Sequence, residues 1–236
     1  MAIAFDAFSS AATAANGTSL TWSHTCAGGT DNVLIVGGEN RTGVLPSSVT
    51  YNGDTVTALQ DLGVGSFQGI NQWYRIAPDS GSNNIVVTQA GSSALSYGAI
   101  SLTGCNTSPI GNINTASGTG GSNPSITVGT GNWAISMGTD NNSPNDGQTA
   151  TSPQTQRYTR YTTGGSAAHT VGATNDTDNT VSFGSSFGTC YGAAVEILAP
   201  VSGPANVKTW DGLAIASVKV VNGLAIGSTK TINGLN

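Results

Sequence analysis

The sequence predicts an all-β protein: an antiparallel β-sandwich or jelly roll with a short C-terminal β-repeat tail. Short apolar and β-branched runs alternate with clusters of Gly, Asn, Ser and Pro along the chain. That alternation is typical of strands joined by turns. The best helical candidate, residues 11–15, is short and runs into Asn16-Gly17. Without helices between the strands, a parallel sheet with helical crossovers is excluded.

Thirteen strands are predicted from these runs. In chain order they are residues 19–26, 32–39, 48–51, 55–59, 71–77, 84–89, 95–102, 125–128, 133–138, 156–162, 168–173, 180–183 and 190–198. The nearly continuous apolar runs at 33–36, 85–87 and 193–198 are predicted to be central strands. Leu20 and Trp22 lie two residues apart, so they are predicted to share the core side of their strand.

Two turns are explicit in the sequence. Asn52-Gly53 separates two β-branched runs and predicts a two-residue hairpin. The segment 77–81, Ala-Pro-Asp-Ser-Gly, predicts a longer hairpin loop.

The chain is predicted to consist of a body at 1–198, a Pro/Gly linker at 199–206 and an assembly or anchoring tail at 207–236. The tail repeats every eleven residues, and each unit closes with Asp-Gly or Asn-Gly, which favours a type I′ turn. An isolated hairpin buries too little apolar surface to be stable, so the tail is expected to need a partner. The tail residues predicted to act in assembly are Lys208, Trp210, Lys219, Asn222, Leu224, Lys230, Asn233 and Leu235.

Charge limits the classes of partner. All three lysines lie in the tail, while the first 200 residues hold four arginines and eleven carboxylates. Such a body repels phosphate backbones and anionic lipid, so neither nucleic acid nor a membrane is an expected partner. The N-terminus lacks the basic and apolar regions of a signal peptide. We therefore expect the protein to be made in a host cytoplasm.

Four segments resemble a sandwich domain that is widespread in bacteriophage and metagenomic virion structural proteins. They are residues 20–25, 31–37, 49–53 and 73–78. The tail units, of the form Val-Lys-Thr-x-Asn-Gly-Leu-Ala, are similar to C-terminal repeats that often accompany that domain. The resemblance covers most of the chain and implies a location, the virion surface, more than an activity.

The sequence contains no recognisable catalytic motif, and no catalytic or cofactor-binding residue is predicted. A jelly-roll glycoside hydrolase using Glu39 and Glu196 is a remote alternative, since these are the only glutamates. His24 and His169 are expected to form hydrogen bonds at surface or half-buried positions. Cys26, Cys105 and Cys190 are predicted to be buried free thiols, with a Cys26–Cys190 bridge as the alternative.

Two kinds of ligand site are considered. Asp/Asn-rich loops offer weak Ca²⁺ candidates, namely Asp140, Asp146, Asp176 and Asp178, and solvated turns are the preferred interpretation. A binding surface is predicted at Arg157, Tyr158, Arg160 and Tyr161, because Tyr and Arg are enriched at interfaces.

Two functional hypotheses follow. The first is a non-catalytic structural protein of a phage particle, a capsid decoration protein or a fibre-type appendage. It would form a homo-oligomer, expected to be a trimer, and contact other virion proteins. The second is a glycan-binding adhesin, either a phage receptor-binding protein or a secreted bacterial lectin-like protein, that contacts host-surface glycans through loops at 114–124 and 139–153.

Overall fold

The computed structural model describes residues 2–13, 15–40, 45–62, 69–122, 124–140, 149–162, 169–175, 181 and 183–200, with tail residues 209–210, 213–214, 220–221 and 224–225. Its strands are β1 Ala4–Ala12, β2 Gly17–Cys26, β3 Val33–Asn40, β4 Pro46–Tyr51, β5 Asp54–Thr55, β6 Thr57–Leu62, β7 Ile70–Ile76, β8 Gly81–Ser93, β9 Leu95–Thr103, β10 Ile110–Ser122, β11 Trp133–Asp140, β12 Thr149–Ala150, β13 Thr155–Tyr161, β14 His169–Asn175, β15 Phe183–Ile197, β16 Thr209–Trp210, β17 Leu213–Ala214, β18 Val220–Val221 and β19 Leu224–Ala225. In this part of the chain no helix is long and apolar enough to cross a bilayer.

The body is an antiparallel β-sandwich, as the sequence predicts, and its strands form three sheets. The middle sheet has the order β1-β9-β3-β7-β6. The front sheet has the order β2-β8-β4-β5. The back sheet has the order β10-β15-β11-β14-β13, with β12 beside β15. Every pair in these sheets is antiparallel.

The middle sheet is covered on both faces. Along β3, Leu34 and Val36 pack with Leu20 and other side chains of the front sheet. Val33 and Ile35 point to the opposite face and share a second apolar cluster with the back sheet. Double coverage explains why residues 33–36 form an unbroken apolar run, since a strand buried on both faces needs no polar side.

The middle and back sheets repeat one topology. Each takes its five main strands from one half of the body. When those five strands are numbered in chain order, the spatial order in both sheets is first, fifth, second, fourth, third. In both sheets a pair of glycines lies opposite each other on the corresponding two strands: Gly37 pairs with Gly98 in the middle sheet, and Gly138 pairs with Gly192 in the back sheet. The two halves of the body are therefore versions of the same five-stranded unit.

Most of the predicted strands are confirmed, including the central positions of β3 and β15. Leu20 and Trp22 are both buried in the cluster between front and middle sheets. The Asn52-Gly53 hairpin is also confirmed: β4 pairs with β5, and φ is 54° at Asn52 and 86° at Gly53. Both values are positive, as a type I′ turn requires.

Other predictions were wrong. The segment 77–81 joins β7 in the middle sheet to β8 in the front sheet, so it is a connection between layers and not a hairpin loop. The predicted strand 125–128 pairs with nothing described, although Ile126 and Val128 pack on the back sheet. The strands β1, β10 and β12 were not predicted, and the predicted strand 180–183 lies partly outside the described residues, with Phe183 at the start of β15.

The tail forms a compact unit of its own, residues Pro200–Asn236, separate from Met1–Ala199. Its described residues form two short hairpins. Thr209 pairs with Ala214 and Trp210 with Leu213, and eleven residues later Val220 pairs with Ala225 and Val221 with Leu224. The two units therefore share one register, and each flanks its Asp-Gly or Asn-Gly pair. The predicted tail residues Lys208, Lys219, Asn222, Lys230, Asn233 and Leu235 lie outside the described residues.

Candidate functional site

A cluster of polar side chains lies at one end of the back sheet, where β11 ends and β14 begins. His169 is fully buried and bonded through both ring nitrogens. Its Nδ1 lies 3.1 Å from Asp140 Oδ2, and its Nε2 lies 2.8 Å from the hydroxyl of Thr159. With the proton on Nδ1 donated to Asp140, Nε2 accepts the hydrogen of Thr159. The three residues come from β11, β13 and β14, three adjacent strands.

Two further contacts close this cluster. The backbone N–H of His169 donates to Glu39 Oε2 at 3.2 Å, which joins the back sheet to the end of β3 in the middle sheet. The Tyr161 ring stacks on the imidazole, with centroids 4.2 Å apart and planes inclined by 14°. Pairing and alternation along β13 place Thr159 and Tyr161 on the same face.

A hydroxyl, an imidazole and a carboxylate bonded in this order have the arrangement of a catalytic triad, in which the imidazole acts as base toward the hydroxyl. Catalysis would also require a cleft beside the hydroxyl and donors for a developing oxyanion. His169 has no exposed surface, and of its three bonded side-chain partners only Thr159 is exposed. What the geometry does show is a connection: through its imidazole and its backbone N–H, His169 ties four strands of two sheets together by its bonds to Asp140, Thr159 and Glu39.

Glu196 occupies the other end of the back sheet and binds four donors. Its Oε2 accepts from the backbone N–H of Asn112 at 3.2 Å and from the Asn112 side chain at 2.8 Å. Its Oε1 accepts from the backbone N–H of Gly129 at 2.8 Å and from the Asn132 side chain at 2.7 Å. Burial raises the pKa of this carboxyl, but the four hydrogen bonds outweigh burial and hold the pKa below its usual value.

The two glutamates therefore do not form a glycosidase pair. Glu39 contacts His169, which pairs with Asp140, whereas Glu196 pairs with Ala134 at the start of the same strand β11. Six residues of strand separate those positions, about 20 Å. A retaining pair stands at about 5 Å, and its acid needs a raised pKa, the opposite of the direction found at Glu196.

His24 forms a second buried network between front and middle sheets. Trp22 Nε1 donates to the Ser9 hydroxyl at 2.9 Å, and that hydroxyl lies 2.8 Å from His24 Nδ1. On the other side Nε2 lies 3.1 Å from the Ser101 hydroxyl, which donates to Asp6 Oδ2 at 2.7 Å. Since Ser101 gives its hydrogen to Asp6, it accepts from Nε2–H, and Ser9 donates to Nδ1. This network needs a neutral imidazole.

Both histidines form hydrogen bonds, as predicted, but the predicted surface or half-buried positions were wrong. They lie at 1% and 0% exposure because each is held between strands, His24 by two serine hydroxyls and His169 by a threonine hydroxyl and a carboxylate. Burial lowers the pKa of His24 to about 4, and this effect exceeds the opposing attraction of Asp6.

We expect His24 to make the body less stable in mild acid. Between pH 6.5 and about 4, the unfolded chain binds a proton at His24 that the folded protein does not. The free energy of unfolding therefore falls as pH falls through this window, by about 3 kcal/mol at most. Urea midpoints measured at pH 7, 5.5 and 4.5 check this.

The control is His24→Gln, which cannot titrate. Its stability should be lower at pH 7, because it loses imidazole hydrogen bonds, but should change less between pH 6.5 and 4.5. An equal pH slope in the wild type and the variant would contradict the assignment to His24. Glu196 contributes in a lower window, since a depressed carboxyl pKa gives stability that is lost as pH falls below 4.5.

The structure corrects the predicted binding surface at one position. Tyr158 is 5% exposed and points into the core between the middle and back sheets, so it is not available to a partner. The half-buried Arg157 lies over the Phe5 ring at 3.9 Å and donates from Nε to the Thr174 hydroxyl at 2.8 Å. Arg160 is exposed and Tyr161 is stacked on His169, so the four residues do not form one outward face.

The remaining predictions concern the three cysteines and the candidate Ca²⁺ ligands. All three cysteines are buried thiols outside any disulfide, as predicted, and the Cys26–Cys190 bridge does not form. Among the described residues no group of three His, Cys, Asp or Glu side chains is placed to hold a metal ion. Asp140 is buried against His169, which is unlike a solvated loop ligand. Asp146, Asp176 and Asp178 lie outside the described residues.

The glycan loop predicted at 114–124 was wrong in part, because most of it belongs to strand β10. Most of the second loop, residues 141–148, lies outside the described residues. Asn114, at the start of the first predicted loop, donates to the backbone carbonyl of Ser125 at 2.6 Å. This bond fixes the covering segment, the stretch at 125–128 that packs on the back sheet.

Sequence reasoning missed the partners of the buried charges. Thr159, Asn112 and Asn132 stand in polar stretches with no distinguishing pattern. The only local signal was an isolated carboxylate inside an apolar run at Glu196, which requires donors from elsewhere in the chain.

Comparison of the chain with protein-family models, with curated proteins and with solved structures gave no match. The function is therefore inferred from the geometry and the sequence of this chain.

Proposed function

We propose that this protein is a non-catalytic structural component exposed on the surface of a bacteriophage particle, a capsid decoration protein or a fibre-type appendage. In this proposal the body supplies bulk and the tail joins it to other copies and to virion proteins. The observation that carries the proposal is the shared register of the two tail hairpins, eleven residues apart.

The size of the tail hairpins supports an assembly role. Each has two described residue pairs, and so small a hairpin is marginal in water on its own. Units repeated at a fixed spacing can gain stability by pairing with equivalent units of another copy. Closed symmetric assembly is the usual outcome for such self-pairing, and a trimer is the expected form.

The chemistry of the body supports a structural role. Both histidines and both glutamates bond to groups on neighbouring strands, and these bonds connect sheets or fix the covering segments. The surface of the first 200 residues is uncharged for the most part and lacks lysine. Such a surface suits a protein packed at high local copy number on a particle.

The test uses intact particles of the phage that encodes the chain. We expect mass spectrometry of purified virions to find the protein at fixed stoichiometry, and cryo-electron microscopy to place its β-sandwich on the outside. A control preparation of the same lysate without particles should be depleted of it. Absence of the protein from purified virions would refute the proposal.

A glycan-binding role is the second candidate function. It is favoured by a groove beside Trp73, at a place that the sequence did not indicate.

A further inference from the structure

A cavity of about 190 Å³ opens between the start of β4 in the front sheet and the β6–β7 edge of the middle sheet. Leu45, Pro46 and Trp73 give it apolar walls, and Asp61 adds a carboxylate. Asp61 is exposed, Trp73 is half-buried, and 44% of Leu45 is open to solvent. Small-molecule sites combine an aromatic or apolar wall with a few placed polar groups, and this cavity has that composition on a small scale.

Trp73 is held in one orientation by a chain of hydrogen bonds that runs into the core. Its Nε1–H donates to Asn71 Oδ1 at 3.2 Å, and Asn71 Nδ2 donates to the Tyr97 hydroxyl at 3.0 Å. Asn71 and Tyr97 are both buried. Because the indole N–H is already bonded, what Trp73 can offer a ligand is the face of its ring.

The polar groups of the lining favour a ligand that donates hydrogen bonds. Gln60 Nε2 donates to Gln72 Oε1 at 2.5 Å and to the carbonyl of Ala194 at 2.9 Å, so its amide hydrogens are already used. Asp61 adds two carboxylate oxygens, which only accept. Among the described lining residues there is no Lys, Arg or His, so these residues offer a ligand hydrogen-bond acceptors and apolar surface.

We propose that this groove is a binding site for a single neutral sugar ring, whose apolar face lies on Trp73 and whose adjacent hydroxyls donate to Asp61. A pyranose has both features, an apolar face and several hydroxyl donors, and its ring is small enough for a short groove. The described lining residues all belong to the body, and the proposal does not depend on the assembly role. On a particle surface it would contact host glycans.

The test is a titration of the full-length protein with methyl glycosides of glucose, galactose, mannose, rhamnose and N-acetylglucosamine. Binding is monitored by saturation-transfer-difference NMR. We expect at least one to bind, with saturation strongest at the ring protons of its apolar face. Asp61→Asn should raise the Kd about tenfold, as the loss of a charge-assisted pair implies. Trp73→Ala should abolish binding.

The controls separate loss of the site from loss of the fold. Asp54→Asn makes the same chemical change at an exposed carboxylate bonded to Arg75, and should leave the Kd unchanged. Asp61→Asn lies at an exposed position, so it remains informative if Trp73→Ala fails to fold. The proposal is overturned if no glycoside binds the wild type, or if Asp61→Asn binds as tightly as the wild type.

Discussion

Replacing Glu196 with alanine is expected to lower the free energy of unfolding by at least about 3 kcal/mol. The change leaves four donors without their acceptor: the N–H groups of Asn112 and Gly129, and the side-chain amides of Asn112 and Asn132. These groups lie at the junction of β10, β15 and the segment before β11. The loss should appear as a lower urea midpoint with an unchanged m-value.

Two variants calibrate this result. Glu196→Gln keeps the shape and one acceptor oxygen but turns an amide toward two of the donors, so we expect an intermediate loss. Asp61→Asn changes an exposed carboxylate and should stay within about 0.5 kcal/mol of the wild type. If Glu196→Ala were as stable as Asp61→Asn, the four hydrogen bonds would not hold this end of the back sheet.

Tyr158→Ala is expected to cost about 3–5 kcal/mol, because the ring fills the space between the middle and back sheets. That space exists because two glycines face each other there: a Cβ built on Gly98 in β9 or on Gly172 in β14 would overlap the ring. Gly98→Ala alone should therefore cost about 1–3 kcal/mol by overpacking.

The double variant decides whether the two residues act through each other. With Tyr158 already replaced by alanine, Gly98→Ala should become neutral or stabilising, since its methyl enters the vacated space. Additive losses would contradict this packing. Tyr158→Phe is the matched control, because its hydroxyl is buried with no hydrogen-bond partner among the described residues, so removing it should cost nothing.

The predictable part of the fold came from strands whose sequence alternates or is continuously apolar. Residues 33–36 and 193–198 signalled central strands because burial on both faces demands apolar side chains throughout. By contrast, β10 is rich in Gly, Ser and Asn, and β1 in Ala and Ser. Both are edge strands, and each is held in its sheet by backbone hydrogen bonds, β10 to β15 and β1 to β9. Backbone pairing requires no particular side chains, so these strands carry no pattern in the sequence.

The arrangement of sheets could not be predicted, because it depends on which strands pair over long distances. The connection at 77–81 has the composition of a hairpin loop, yet β7 and β8 pair with strands of different sheets. The same limit applies to the buried networks. His169 and Glu39 are 130 residues apart, and Glu196 and Asn112 are 84 apart, so no local pattern connects them.

The assembly role of the tail is tested most directly by the mass of the protein in solution. Light scattering should be measured on the full chain and on a chain ending at Ala199, which retains the whole compact body. The proposal predicts a defined oligomer, a trimer in its simplest form, for the full chain and a folded monomer for the shortened one. A monomer in both cases, or the same oligomer in both, would contradict it.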